Sequence, residues 1–436
     1  MSSTVGDSDC SHTEHSAVAV ISDASALTCN SSAPAGQHPN AVSATEKGPQ
    51  VLTLTPYTTG FTFKAWRHCP PAPFGLGYST PSPARHPDSA AALQEELCTS
   101  RQPREGHTLF ENEELFTITS TLRTGGFGAQ IVVVNHEMVA KIYDPLFYDD
   151  DSEGYENPLW RADKSYSREA AAYEQLQKSK DISDIVPAFY GTWTFNIDTT
   201  IMQGGVATEA TRGVRMILIE HLKGQCMMDV DAHTLLEPIR TSILKQCLEA
   251  YIRVSQAGVS HGDLSPRNIM ILGSVSNPSD VRVKLIDFDV ATVYDHPNYK
   301  FPENAVKREN FSRKWSPKLP SPVVMFFRKM AEFSCEGWCP DEDRGSDQWL
   351  WQNYAEDDRY ATVQWNRNER FARPIYANPD AKMEQPVSNV IISRSGSEIA
   401  TSSSDSNASS GSNGSNESNG SNDGNGSDES NGSIGN

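Results

Sequence analysis

The 436-residue length suits two ordinary domains or one large one with loose ends. The 37% hydrophobic content is thinned by apolar-poor termini, which favours the second. A formal charge of −19, from 56 acidic against 37 basic side chains, argues against nucleic-acid binding, which needs a cationic surface. No apolar run approaches a membrane span, no basic start precedes an apolar core, and eight scattered cysteines form no framework; the chain therefore reads as intracellular, cytoplasmic or nuclear, with reduced thiols.

Residues 1–50 are rich in Ser, Ala, Thr and His without periodicity and are expected to be disordered. Residues 51–110 read as an extension and linker. Val51–Thr55 and Gly60–Phe63 are strand-like, as a small hairpin packed on the domain or a binding segment. Prolines dominate Pro70 to Pro103, with one short helix expected at Ala90–Cys98. Strands are expected at Leu115–Leu122 and Gln130–Val134, flanking a glycine turn, and at Met138–Tyr143. Ser165–Lys178 carries Tyr166, Ala170 and Tyr173 at helical steps. Strands follow at Thr192–Asn196 and Met216–Leu222, then a helix from Pro238 to about Gln256, stopped by Gly258.

A hairpin is expected next, out along Ile269–Leu272, turning over Gly273–Asp280 and back along Val281–Ile286. Further helices fit Val323–Phe333 and Asp347–Tyr354, where Trp338, Trp349, Trp351 and Trp365 supply bulky core. The pair Cys335 and Cys339, around Gly337 and Trp338, reads as packing rather than metal binding. Residues 385–436 are a Ser/Asn/Gly/Asp tail of low complexity, expected to be disordered; its Asn-x-Ser triplets are products of composition.

The chemistry concentrates on His261–Met270 and Leu285–Asp289. Asp263 can hold a hydroxyl by its proton, and Asn268, five residues on, and Asp287 are hard oxygen ligands suited to magnesium. The hairpin between them brings Asp287 alongside Asn268. Upstream, Gly125, Gly126, Phe127 and Gly128 form a turn whose backbone N–H groups can approach phosphate closely. Lys141 sits in an apolar strand, which is costly without a partner. Glu169 is the first choice and Glu174 the second.

These residues resemble the H-R-D-L-x-x-x-N catalytic loop and D-F-G metal motif of protein kinases. They are closer still to the H-G-D-L-x-x-x-N form of aminoglycoside-phosphotransferase-like and other divergent kinases. From about Glu111 to Trp365 the chain is similar to a group of divergent fungal kinase-like proteins. The resemblance implies an α+β, two-lobed protein-kinase-like fold with an N-lobe over 111–222 and a reduced C-lobe over 223–384. It implies ATP and Mg2+ as cofactors and a protein or small-molecule hydroxyl as acceptor; the alternative is a nucleotide-binding pseudokinase acting as a scaffold or regulator.

By the same resemblance Lys141, in Met138–Ile142, would bridge the α- and β-phosphates, Asp263 would act as base, and Arg267 would either touch the transferring phosphate or pair with a loop acid. Asn268 and Asp287 would hold the metal. Glu220 would offer its carbonyl and Leu222 its N–H to adenine. Lys141→Met is expected to abolish turnover and leave stability nearly intact. The chain departs from the pattern at Arg123 (for the first glycine), Gly262 (for the Arg of H-R-D), Ser265 and Asp289, and has no A-P-E. Without that arginine, activity is expected not to depend on phosphorylation of residues 290–320. Asp289 implies a stiffer segment or an added acid near the metal.

Overall fold

Strands alternating apolar and polar residues bury one face only when the sheet closes or is covered, and here six of them close. The computed structural model describes residues 55–377 apart from 76, 80–97, 100, 127, 149–157, 204–205, 276–278, 316–317, 341–344 and 367–372. The expectations for 1–50 and 385–436, for 51–54 and 90–97, and for Phe127 lie outside the described residues.

The barrel is built from β1 (Thr62–Cys69), β2 (His107–Arg123), β3 (Gln130–Val134), β4 (Met138–Tyr143), β5 (Phe189–Gln203) and β6 (Val206–Glu220). All neighbours are antiparallel in the order β1-β2-β3-β4-β6-β5, and β1 pairs with β5 to complete the circle. The stretch at Gly60–Phe63 thus belongs to the barrel and not to a separate hairpin: Phe63 pairs with Phe116 of β2, and Ala65 with Phe195 of β5. Likewise Thr192–Asn196 and Met216–Leu222 are parts of one long hairpin, whose second strand stops at Glu220, before Leu222. Phe63, Phe116, Phe195, Ala140, Ile142 and Leu218 are among the side chains of the barrel core.

Between β4 and β5 runs helix α1 (Pro158–Leu176), which starts seven residues before the expected Ser165. Its buried face carries Ala162, Tyr166, Glu169 and Tyr173 at three- and four-residue steps. Strand β4 is buried on both faces. Ala140 and Ile142 enter the barrel core, whereas Val139 and Tyr143 belong to a second, larger core that includes Tyr166 and Tyr173 of α1. Lys141 shares the parity of Val139 and Tyr143, so the strand's two-residue period turns it toward α1.

After the barrel the chain is mainly helical. β7 (Gly224–Cys226) leads to α2 (Glu237–Gln256), which agrees with the expected helix and ends at Gly258 with φ +94°. β8 (Val259–Ser260), β9 (Ile269–Leu272), β10 (Arg282–Leu285) and β11 (Thr292–Val293) follow. The expected β9–β10 hairpin forms, with Ile269 opposite Leu285. α3 (Pro302–Trp315) was hidden among prolines and charges. The expected single helix over Val323–Phe333 is two short ones, α4 (Pro322–Met325) and α5 (Ala331–Cys335). Arg328, between them with φ +58°, cannot continue a right-handed helix. α6 (Gly345–Tyr354) matches expectation, and β12 (Val363–Asn366) pairs with β13 (Arg373–Tyr376).

The start of the proline-rich segment is packed against the helical portion. Phe74 is fully buried, Tyr78 forms a β-bridge with Tyr299, and the Tyr78 hydroxyl accepts from the Val293 N–H at 3.0 Å. The described core is therefore an α+β arrangement of a large antiparallel barrel with few helices.

Candidate functional site

Lys141 Nζ lies 2.5 Å from Oε2 of Glu169 and 2.5 Å from Oδ1 of Asp287. Strand, helix and hairpin each contribute one member. Glu169 is 0% exposed and Lys141 5%, so neither charge could persist there alone. Glu169 also accepts from the Tyr143 hydroxyl at 2.6 Å and from the Phe288 N–H at 3.3 Å. Glu174 is exposed, so Glu169 is the partner of Lys141. Tyr143 was legible: two residues beyond Lys141 in a strand, it shares its face.

Burial drives the Glu169 carboxyl up to about 7, and the Lys141 ammonium keeps it from rising further. Burial alone would lower the Lys141 ammonium, but the charges of Asp287 and Glu169 overcome it and raise it well above the ordinary lysine value. Burial pushes Asp287 upward too, and the Lys141 ammonium reverses this, holding it below the usual carboxylate range. Asp289 goes the other way, raised by burial and by the neighbouring Asp287 charge.

Asp287 has φ +65°, a region that a non-glycine residue rarely occupies and that Asp tolerates better than most. The flanking bonds hold it there. The Ile286 N–H donates to the Asn268 carbonyl at 2.9 Å, which ties the two expected metal ligands across the hairpin. Phe288 is buried between the rings of His261, 4.6 Å away, and Tyr173, 5.2 Å away. Arg168 of α1 donates to the carbonyls of Val290 and Ala291, the latter at 3.1 Å. The segment after Asp287 is thus clamped to the helix that carries Glu169, and Asp289 feels the charges of both Lys141 and Asp287.

On the other side of the site, Arg267 donates to both carboxylate oxygens of Asp263, at 2.8 and 3.0 Å. Asn268 Nδ2 donates to Asp263 Oδ2 at 2.8 Å and to its carbonyl at 3.0 Å. Arg267 thus pairs with a loop acid, one of the two roles open to it. His261, whose part no sequence motif declares, joins the two halves. Its Nδ1 accepts from the Asp263 N–H at 3.3 Å, which makes Nε2 the protonated nitrogen, and Nε2 donates to the Ile286 carbonyl at 2.9 Å. Burial lowers its pKa, consistent with this neutral form.

Gly262 has φ +84°, and a Cβ there would come within 2.9 Å of the Val290 carbonyl oxygen. That close approach explains why no side chain stands at position 262.

The glycine turn differs from the expected cradle. Gln130, buried at the start of β3, accepts from the Gly125 N–H at 2.6 Å and donates to the carbonyls of Gly126 and Gly128, each at 2.9 Å. The Gly128 N–H donates to the Phe147 carbonyl at 2.7 Å. The N–H groups of Gly125 and Gly128 are therefore engaged within the protein.

At the end of β6, Glu220 pairs with Lys284 of β10 at 2.7 Å and accepts from the Ala188 N–H at 3.0 Å. Its side chain staples the barrel to the hairpin, a role not expected from sequence. Leu222 follows the strand and is half-buried. Of the cysteine pair, Cys339 is packed, buried beside Trp338 with its sulfur 3.3 Å from the Ser334 hydroxyl, whereas Cys335 is exposed. Among the described residues no cluster of three or more His, Cys, Asp or Glu side chains could hold a metal, and no helix is long and apolar enough to cross a membrane. No protein-family model matches the chain, and no curated protein matches it.

Proposed function

We propose that the chain is an ATP- and magnesium-dependent phosphotransferase of two-lobed protein-kinase-like fold, acting on a hydroxyl of a protein or small molecule. The barrel with α1 would be the N-lobe, and the helical portion with the β9–β10 hairpin a reduced C-lobe. One observation carries the reading: Lys141 is bonded at once to Glu169 of α1 and to Asp287, 146 residues away in the chain. A buried cation joined to an acid at the start of a clamped segment suits a group that neutralises transferred phosphate.

The donor chemistry fits magnesium, which takes few protein oxygens and keeps water and phosphate as its other ligands. Asp287 offers a carboxylate. Asn268 has its Nδ2 committed to Asp263, which leaves its amide oxygen as the ligating atom. When bound, the ion would offset charge on the phosphates. Asp263 would orient the acceptor hydroxyl and take its proton, while Arg267 and Asn268 fix the carboxylate. The Glu220 carbonyl and Leu222 N–H, at the end of β6, would meet the adenine.

A second reading, a nucleotide-binding pseudokinase acting as scaffold or regulator, is favoured by the engagement of the Gly125 and Gly128 N–H groups. Incubation with γ-labelled ATP and magnesium, with and without a cell extract, separates the two. Label transferred by the native chain and lost in Asp263→Ala supports the enzyme. Nucleotide binding with no label on any acceptor, or equal label from Asp263→Ala, rejects it.

A further inference from the structure

The turn between β2 and β3 has spent two of its glycine N–H groups: Gln130 takes that of Gly125 at 2.6 Å and the Phe147 carbonyl takes that of Gly128 at 2.7 Å. A backbone nest for an anion needs successive free N–H groups, so the N–H groups of Gly125 and Gly128 are lost to that task. Its outer side is nevertheless open: a Cβ added at Gly125 or Gly126 would meet nothing within 4 Å.

Arg123 stands at the entrance of the same turn, as the last residue of β2. Its Nη2 donates to the Ala129 carbonyl at 3.3 Å and lies 4.0 Å from where a Gly128 Cβ would be, so the guanidinium lies along the turn rather than away from it. That is its one hydrogen bond among the described residues, and an arginine fork has further N–H donors to offer. Its charge reaches the site: burial raises the Asp287 carboxyl, Lys141 lowers it, and Arg123 adds to the lowering. The residue is exposed, so it is accessible to a ligand.

The geometry points to Arg123 as an anion-binding residue: its guanidinium takes a phosphate of a nucleoside triphosphate in place of the engaged glycine N–H groups, with Gln130 holding the turn that positions it. This rests on the nucleotide-binding reading above. A planar fork binds phosphate oxygens in pairs, which a lysine cannot reproduce. The contribution of Arg123 should therefore depend on the phosphate chain and not on the nucleoside.

Calorimetric titrations of the full chain with ATP and magnesium, with adenosine, and with inorganic tripolyphosphate test this for the native protein, Arg123→Ala and Arg123→Lys. A charge-assisted contact predicts at least about tenfold weaker ATP and tripolyphosphate binding in Arg123→Ala, with adenosine unchanged and Arg123→Lys intermediate. Unchanged thermal unfolding would show that the exposed substitution leaves the fold intact. Equal ATP affinity in native and Arg123→Ala proteins overturns the assignment and leaves the nucleotide reading standing. Tripolyphosphate bound through Arg123 with no affinity for ATP or adenosine would keep the anion site and reject the nucleotide. Failure of the native chain to bind any of the three overturns both.

Discussion

Lys141 and Glu169 meet at 2.5 Å with both side chains shut away from water. From sequence, Lys141→Met was expected to be silent for stability; the burial of Glu169 reverses that expectation. Removing the ammonium leaves a carboxylate in the core whose remaining partners, among the described residues, are the Tyr143 hydroxyl and the Phe288 N–H. Breaking a buried pair in this way costs about 3 kcal/mol when the remaining group must stay charged. Glu169 can escape part of the penalty by taking a proton, because its carboxyl already sits at about 7 and rises without Lys141. A carboxyl raised in the folded state favours folding at low pH and loses that contribution as pH climbs through its folded value. Lys141→Met should thus lower the unfolding midpoint more at pH 8.5 than at pH 6, as well as abolish phosphotransfer. A midpoint equal to that of the native chain at both pH values would show that the pair contributes nothing to stability.

Arg267 and Asp263 make the opposite kind of pair. Their side chains are 43% and 36% exposed, so solvent screens the attraction and its worth to folding is about 0–1 kcal/mol. Its value would lie in aiming the carboxylate. Arg267→Ala should leave thermal unfolding within that narrow range of the native chain while lowering kcat about tenfold or more, with KM for ATP little changed. Loss of ATP affinity with kcat preserved would assign Arg267 to nucleotide binding instead.

The approach of Gly262 to the Val290 carbonyl bears on regulation. Gly262→Ala must place a Cβ 2.9 Å from that backbone oxygen at φ +84°, a strain of about 1–3 kcal/mol. It should also push away the segment that Arg168 and Tyr78 hold. Because these bonds already order residues 288–293, no phosphate is needed to do so. Phosphatase treatment of the native chain should leave its activity unaltered; a large fall traced to a phosphorylated residue within 290–320 would contradict the clamp. Hydrogen exchange in Gly262→Ala should rise across 288–293, and unchanged protection there would argue against the strain.

What was readable in the string, and what was not, follows from how each contact is made. The Lys141 strand, the α1 helix and the β9–β10 hairpin declare themselves by local periodicity, and Glu169 lies on a helix face marked by Tyr166 and Tyr173. The long arms of β5 and β6 did not, because Asp198–Gln203 and Val206–Thr211 are mostly polar and pair through each other's backbone. Barrel closure by β1 depends on pairing with β5 over more than a hundred residues, which no local pattern encodes. The glycine turn looked like a phosphate cradle because glycines are necessary for one. Whether their N–H groups are free depends on Gln130 and Phe147, whose positions only the folded backbone fixes. His261 was passed over because its work is done with backbone atoms of residues 263 and 286.

A buried acid outside the site gives a test of the fold itself. Asp163 of α1 accepts from the Arg104 N–H at 2.7 Å, and burial raises its carboxyl to about 6 from the ordinary 3.8 even though that bond and the nearby arginines pull it down. The folded state therefore prefers the neutral acid. Its contribution to stability is complete below pH 3.8 and fades as pH rises through about 6. Asp163→Asn keeps an oxygen acceptor for Arg104 and is neutral at every pH. The variant should match the native chain near pH 4 and exceed it by about 2–3 kcal/mol at pH 8, because a shift of one pKa unit is worth about 1.4 kcal/mol. Other titrations, including that of His68, whose pKa burial lowers to about 3, are common to both proteins and cancel in the difference. Denaturant unfolding of the pair at pH 4, 6 and 8 measures it, and a difference that stays flat across that range would mean Asp163 remains ionised in the fold.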